Sequence, residues 1–182
     1  TWGVYLNQTQ SGTLSGNDIH HNQNTGVYVL SSTGTLLTNN LVHANNDSGV
    51  WLSGGPTNNT AISGGAYYSN GAFGIIEGEG AGSNTWRQIS TYNNLGLGID
   101  KNDNGLPDAT GGISITSIVQ SGGVVTVNGQ YDGFVFVTYN YHIELYRLAP
   151  DASGYGEGRT YLGAYDLQWN SPNAPAWHIN DP

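Results

Sequence analysis

The chain has 182 residues, with 4 Lys and Arg against 13 Asp and Glu, which gives a formal net charge of -9. So few basic residues argue against a nucleic-acid partner and against an anionic membrane surface, because both require clustered positive charge. There is no cysteine and no apolar run long enough for a membrane-spanning helix, so thiolate chemistry is excluded and membrane insertion is not expected.

The first half of the chain repeats a Gly-led tetrad at a nearly constant interval. The tetrads are GVYL at Gly3, GVYV at Gly26, GVWL at Gly49, GIIE at Gly74 and GIDK at Gly98. A fixed period of this length is the sequence signature of a solenoid. Polar residues alternate with β-branched and aromatic ones, which predicts short strands rather than helices.

Two further columns of residues share the period. They are an amide column, Asn22, Asn45, Asn70 and Asn93, and an aliphatic column, Leu14, Leu37 and Ile62. About 23 residues per coil predict roughly three short strands, with successive coils stacked ~4.8 Å apart. The asparagines are predicted to form an amide ladder at a bend, each bonded to its equivalent one coil away. The tetrad glycines are predicted to serve a bend with positive φ.

The repeated strand is predicted to have an inner and an outer face. Val4 and Leu6 begin the inward columns, and Tyr5, Tyr28 and Trp51 form the outward one. An exposed aromatic face could grip a polysaccharide, or it could be a ladder that stabilises the sheet. The interpretation we favour is that the C-terminal module or a neighbouring chain covers it.

The repeats NDIHHNQNTGVYV (17–29) and NLVHANNDSGVWL (40–52) match a pattern of N-x-I-x-x-N followed by G-I, with Val in place of Ile at Val27, Val42 and Val50. Residues 1–100 thereby resemble the right-handed parallel β-helix repeats of secreted, pectate-lyase-like proteins. The resemblance implies the fold, but not the activity, because such proteins include enzymes, adhesins and structural proteins.

The character of the sequence changes after Asp100. Residues 101–112 are predicted to be an Asn/Asp/Gly linker loop, and 113–182 a small antiparallel, sandwich-like β module that begins with a hairpin. Residues 139–163, which include SGYGEGRTYLG, resemble the C-terminal module that follows β-helix repeats in many bacterial surface proteins. The resemblance implies an all-β protein that is secreted or located at the cell surface.

The stretch DKNDNGLPD resembles the first nine positions of a calcium loop, in which oxygen ligands alternate and a glycine allows a sharp turn. The candidate ligands are Asp100, Asn102, Asn104, Leu106 (through its carbonyl) and Asp108. The bidentate Glu expected at the twelfth position is missing. The alternative is a solvated linker turn.

His20 and His43 both lie two residues before a ladder asparagine, so adjacent coils should stack them near Asp18. A metal or acid–base role is one interpretation. The other, which we favour, is that they are ordinary surface residues.

Catalysis is disfavoured, and no catalytic residue is predicted. Lyases of this fold need a basic residue beside bound calcium, and Arg87 is the sole Lys or Arg within residues 1–100. Hydrolases need paired carboxylates. The acidic residues Asp18, Asp47, Glu77 and Glu79 lie in different columns of the repeat, so they do not form such a pair across coils.

The favoured function is a non-catalytic, extracellular structural protein, a filament or sheath-type subunit that assembles with copies of itself or a neighbouring chain through its open β-helix end and its β module. The expectation rests on Val4 and Leu6, an apolar rung with no cap before it, which would invite strand addition. A polysaccharide-binding module is the alternative, and a polysaccharide lyase or hydrolase the third interpretation.

Overall fold

The computed structural model describes residues 1–55, 57–101, 113–131, 139–149, 157–169 and 176–181. All regular elements in these ranges are β-strands. The strands are β1 (Val4–Asn7), β2 (Thr13–Ser15), β3 (Asp18–His20), β4 (Val27–Leu30), β5 (Leu36–Thr38), β6 (Leu41–His43), β7 (Val50–Ser53), β8 (Ala61–Ser63), β9 (Ala66–Tyr68), β10 (Ile75–Glu77), β11 (Thr85–Arg87), β12 (Ser90–Tyr92), β13 (Ile99–Lys101), β14 (Ile113–Ser121), β15 (Val124–Tyr131), β16 (Tyr139–Ala149), β17 (Glu157–Trp169) and β18 (Ala176–Asp181).

The first thirteen strands form three parallel sheets that run along a solenoid. The first sheet has the order β1-β4-β7-β10-β13, the second β2-β5-β8-β11 and the third β3-β6-β9-β12. Every third strand is therefore a neighbour, as a coil of three strands requires. The register pairs Val4 with Val27 and Leu14 with Leu37, one repeat apart. The predicted parallel β-helix is confirmed.

Single residues in the left-handed region turn the chain at the corners of each coil. One such column lies directly before the ladder asparagines and consists of His21, Ala44, Ser69 and Asn93, with φ of 55°, 51°, 54° and 57°. Non-glycine residues adopt this conformation at a modest cost. The bends of the solenoid are thus made largely without glycine.

The tetrad glycines are needed for a different reason from the predicted one. They have φ outside the left-handed region. A Cβ on Gly49 would lie 2.5 Å from the carbonyl oxygen of Gly74, and one on Gly74 would lie 2.5 Å from that of Gly98. The prediction of positive φ was wrong, and close approach between coils excludes a side chain here.

The solenoid interior holds the predicted columns. Val27, Val50 and Ile75 are fully buried, as are Leu37 and Ile62 in the second sheet. Half-buried apolar side chains, Val4 and Leu6 among them, pack against this core. Burial of a side chain of this size contributes about 1.5–3 kcal/mol.

The C-terminal strands form two small antiparallel sheets, β14-β15-β18 and β16-β17. The turn between β14 and β15 is Gly122-Gly123, both with positive φ, as a tight hairpin requires. Val127, Ile143 and Ile179 form a small buried core shared by both sheets. The predicted all-β fold with an antiparallel module is confirmed.

The chain divides into two compact units. One lies within Thr1–Asp108 and Leu148–Thr160, and the other within Ala109–Arg147 and Tyr161–Pro182. The domain boundaries predicted from the sequence, 1–100, 101–112 and 113–182, stay a prediction. None of the described segments is a helix long and apolar enough to cross a membrane.

Candidate functional site: the side-chain ladders of the solenoid

An asparagine ladder runs through the solenoid at the end of the third sheet. Its hydrogen bonds join Asn22 Nδ2 to Asn45 Oδ1 (2.8 Å), Asn45 Nδ2 to Asn70 Oδ1 (3.0 Å) and Asn70 Nδ2 to Asn94 Oδ1 (3.0 Å). Each acceptor oxygen also binds the backbone N–H of the preceding asparagine. The ladder was predicted, but its fourth member is Asn94.

The prediction of Asn93 was therefore wrong by one position. The register of β9 with β12 pairs Tyr68 with Tyr92, which places Asn94 opposite Asn70. Asn93 instead takes the left-handed corner position. Two adjacent asparagines made the sequence ambiguous, and strand pairing decided between them.

An aromatic column stands on the outer face of the first sheet, and we call it the tryptophan–tyrosine ladder. It consists of Trp2, Tyr5, Tyr28 and Trp51. The ring centroids are 4.8 Å apart for Trp2 and Tyr5, 5.4 Å for Tyr5 and Tyr28, and 5.1 Å for Tyr28 and Trp51. Trp2 also lies 5.4 Å from Tyr28, and the pairs of Tyr28 with Trp2 and with Trp51 are tilted by 37° and 35°. All four distances are those of favourable aromatic pairs.

Exposure falls along this outer column. Tyr5 is 43% exposed, Tyr28 and Trp51 are half-buried, and the next two register positions, Ile76 and Asp100, are buried. The outer face is therefore open at its first coils and covered at its last. That the C-terminal module or a neighbouring chain covers Tyr5, Tyr28 and Trp51 stays a prediction.

A second stacked column, the histidine–tyrosine ladder, stands on the outer face of the third sheet. It consists of His20, His43, Tyr68 and Tyr92. Successive ring centroids are 5.1, 4.7 and 4.6 Å apart, with interplanar angles of 16°, 9° and 8°. The stacking of His20 on His43 was predicted. The two tyrosines were missed, although both also lie two residues before a ladder asparagine.

The histidine end of this ladder carries polar contacts. His43 Nε2 lies 2.9 Å from Asp18 Oδ1, and His20 Nδ1 lies 2.6 Å from His21 Nδ1. Each ring nitrogen in these contacts is therefore already paired with a neighbouring side chain. Within the described residues, no group of three or more His, Asp or Glu side chains is arranged to hold a metal ion.

Two tyrosines have phenol groups with a raised pKa. Burial raises the pKa of Tyr67, whose side chain lies inside the coils. Burial also raises the pKa of Tyr92, the neighbouring Tyr68 adds to the effect, and Arg159 opposes it. Both phenols are therefore neutral around pH 7.

The predicted calcium loop is only partly within the described residues. Asp100 lies in β13 with its side chain fully buried. Asn102, Asn104, Leu106 and Asp108 lie outside the described residues. The set of calcium ligands stays a prediction.

Val4 and Leu6 lie on β1, where they pair with Val27 and Val29 of the next coil and are half-buried. The prediction that a further chain covers them stays a prediction.

The second unit has its own polar cluster, centred on His142. Its Nδ1 lies 2.5 Å from Asp166 Oδ1 and its Nε2 lies 3.1 Å from Glu144 Oε1. Tyr146 donates a hydrogen bond to Glu144 as well. A histidine whose two nitrogens face two carboxylates can link β16 to β17. This contact could not be found from spacing, because His142 and Asp166 belong to no repeated column of the sequence.

The stacked parallel coils with ladders inside and outside define a parallel β-solenoid. A family model described as a right-handed beta helix region matches residues 2–141. The match covers more than half of the chain, and the chain belongs to this β-helix family. No curated protein matches the chain, and no solved structure does.

Proposed function

We propose that the chain is a non-catalytic structural domain of an extracellular or cell-surface protein, in which the solenoid is a rigid scaffold. The observation that carries the proposal is the stacking of the tryptophan–tyrosine ladder. The rings of Trp2, Tyr5 and Tyr28 contact one another, with centroids 4.8, 5.4 and 5.4 Å apart, and Tyr28 also contacts Trp51. Each of the four rings therefore contacts at least one other, and Tyr28 contacts three.

This geometry favours a scaffold over a sugar-binding platform. A sugar ring stacks on the open face of an aromatic ring, whereas Tyr28 in the middle of this ladder is half-buried and has three rings against it. Stacked pairs contribute about 0.5–1.5 kcal/mol each beyond the area that they bury. The outer side chains thus stabilise the coils that position them.

Polysaccharide binding is the second candidate function. It is favoured by Trp2 and Tyr5, which are 41% and 43% exposed. Trp2 stands at the first-coil end of the ladder, where its ring contacts Tyr5 and Tyr28. A polysaccharide would then bind at Trp2 and Tyr5 rather than along the whole ladder.

The support for an extracellular location is the resemblance of residues 139–163 to modules of bacterial surface proteins. The partner we propose is a further copy of the chain. Ile118 and Val119 on β14 are 65% and 51% exposed. β14 is an edge strand among the described strands of its sheet, and exposed apolar edges favour strand pairing between molecules.

Tyr28 variants separate these functions. Tyr28→Ala should lower the free energy of unfolding by about 2–4 kcal/mol, because three ring contacts are lost, while Tyr28→Phe should change it by less than about 1 kcal/mol. Chemical denaturation measures both. Near-equal stability of the Ala and Phe variants would contradict the scaffold interpretation.

The same proteins are assayed for ligands, activity and mass. We expect no reducing ends to be released from neutral or acidic polysaccharides, and a wild-type mass that rises with concentration in sedimentation. Polysaccharide binding that is lost on replacing Trp2 with alanine would favour the second candidate. A monomer at every concentration would contradict assembly.

Calcium binding by the segment from Asp100 to Asp108 is proposed as an addition to this function. Its support is the alternation of oxygen-bearing residues. Calcium at 100 times its Kd should stabilise the fold by about 2.7 kcal/mol, seen as a higher Tm than in chelator. Asp108→Asn should reduce the difference. Equal Tm values and no calorimetric heat would identify the segment as a linker.

A further inference from the structure

The asparagine ladder does not end on another asparagine. Asn94 Nδ2 donates to Glu157 Oε1 at 2.6 Å, and the backbone N–H of Asn94 donates to Glu157 Oε2 at 3.1 Å. Glu157 is 2% exposed. A side chain from 63 residues along the chain therefore takes the place that the asparagine of a further coil would occupy.

The histidine–tyrosine ladder ends in a related way. The Arg159 guanidinium lies over the ring of Tyr92, with Cζ 5.0 Å from the ring centroid. Ser90 Oγ also donates a hydrogen bond to the carbonyl oxygen of Arg159. A cation over an aromatic face is a favourable contact and occupies the face on which another ring would stack.

The two contacts follow one geometric rule. In the coils, the stacked ring lies two residues before the ladder asparagine, as Tyr92 precedes Asn94. In the segment 157–160, Arg159 lies two residues after Glu157. The segment 157–160 therefore runs antiparallel to residues 92–94. Glu157 lies at the end of the asparagine ladder and Arg159 at the end of the histidine–tyrosine ladder.

The chemistry of Glu157 suits the end of the asparagine ladder better than another asparagine would. The amide ladder has a direction, because each side-chain N–H donates to an oxygen of the next coil. An asparagine or glutamine at the last position would bring further N–H groups that need acceptors. An ionised carboxylate accepts only, so it binds both Asn94 donors and adds no donor of its own.

We propose that residues 157–160 are the cap of this end of the solenoid. Glu157 terminates the asparagine ladder, Arg159 terminates the ring stack, and the segment prevents a strand of another molecule from adding next to β12. Open solenoid ends need such caps, because an uncapped edge pairs with other chains. The inference stands independently of the proposed function, and assembly of copies would then use another surface.

Hydrogen exchange at the Asn94 amide tests the cap directly, because this N–H donates to Glu157. Glu157→Gln keeps the shape but replaces one acceptor oxygen with a donor. We expect the Asn94 amide to exchange at least about ten-fold faster in this variant. Glu79→Gln makes the same charge change at an exposed position of the coils and should leave that amide unchanged.

Arg159→Ala is the second variant, since it alters an exposed side chain and should fold. We expect faster exchange in β12, no change in β3 at the opposite end of the same sheet, and a mass that increases with concentration more than in wild type. Wild-type exchange at Asn94 in Glu157→Gln would overturn the proposal. So would equal acceleration in β3 and β12 for Arg159→Ala.

Discussion

Replacement of Asn70 by alanine is expected to lower the free energy of unfolding by about 3–5 kcal/mol. The buried Asn70 side chain makes four hydrogen bonds. It accepts from the backbone and side-chain N–H groups of Asn45, and it donates to Val42 O and Asn94 Oδ1. Alanine leaves these buried partners without it, and each unsatisfied group costs about 1–3 kcal/mol.

Denaturant unfolding of the unglycosylated protein measures this effect. Asn46→Ala is the matched control, because the side chain of Asn46 is exposed although it directly follows the ladder member Asn45. This variant should change the stability by no more than about 0.5 kcal/mol. If the two variants are equally stable, the asparagine ladder does not hold the coils together.

Replacement of Gly49 by alanine is expected to destabilise the solenoid by about 3 kcal/mol or more. The added Cβ would lie 2.5 Å from Gly74 O and 2.9 Å from Asn70 Nδ2. The carbonyl belongs to the backbone of the next coil, so relief requires the coils to separate. That movement would also stretch the asparagine ladder.

Gly82→Ala provides the control within the same solenoid. A Cβ on Gly82 would have no heavy atom within 4 Å, and its φ is not left-handed. This variant should be neutral or more stable by up to about 1 kcal/mol, because alanine restricts the unfolded chain. Thermal unfolding of both variants checks the pair, and similar losses of stability would refute the close-approach explanation.

The sequence was sufficient to predict the parallel coils, the inward valines, the asparagine ladder and the stacked His20–His43 pair. A solenoid makes this possible because each residue contacts its equivalent about one period away. A repeat in the sequence is then directly a repeat of contacts. Val27 and Val50 pair in the structure for the same reason that they align in the sequence.

The period alone could not determine details that depend on exact register. Asn93 and Asn94 are adjacent and chemically identical, and only the pairing of Tyr68 with Tyr92 selects Asn94. The reason for glycine at Gly49 also required coordinates. Positive φ and close approach are both reasons for a glycine, and the φ of Gly49 together with its distance to Gly74 O identifies close approach.

Only the tertiary structure revealed how the ladders end. Glu157 and Arg159 follow no period and are more than 60 residues from Asn94 and Tyr92, so no spacing connects them. They reach the two ladders because the chain folds back, so that one short segment runs antiparallel to residues 92–94 and contacts both Asn94 and Tyr92. Repeated contacts can be read from a sequence because their partners recur, whereas a cap is a single long-range contact that exists only once the chain has folded back.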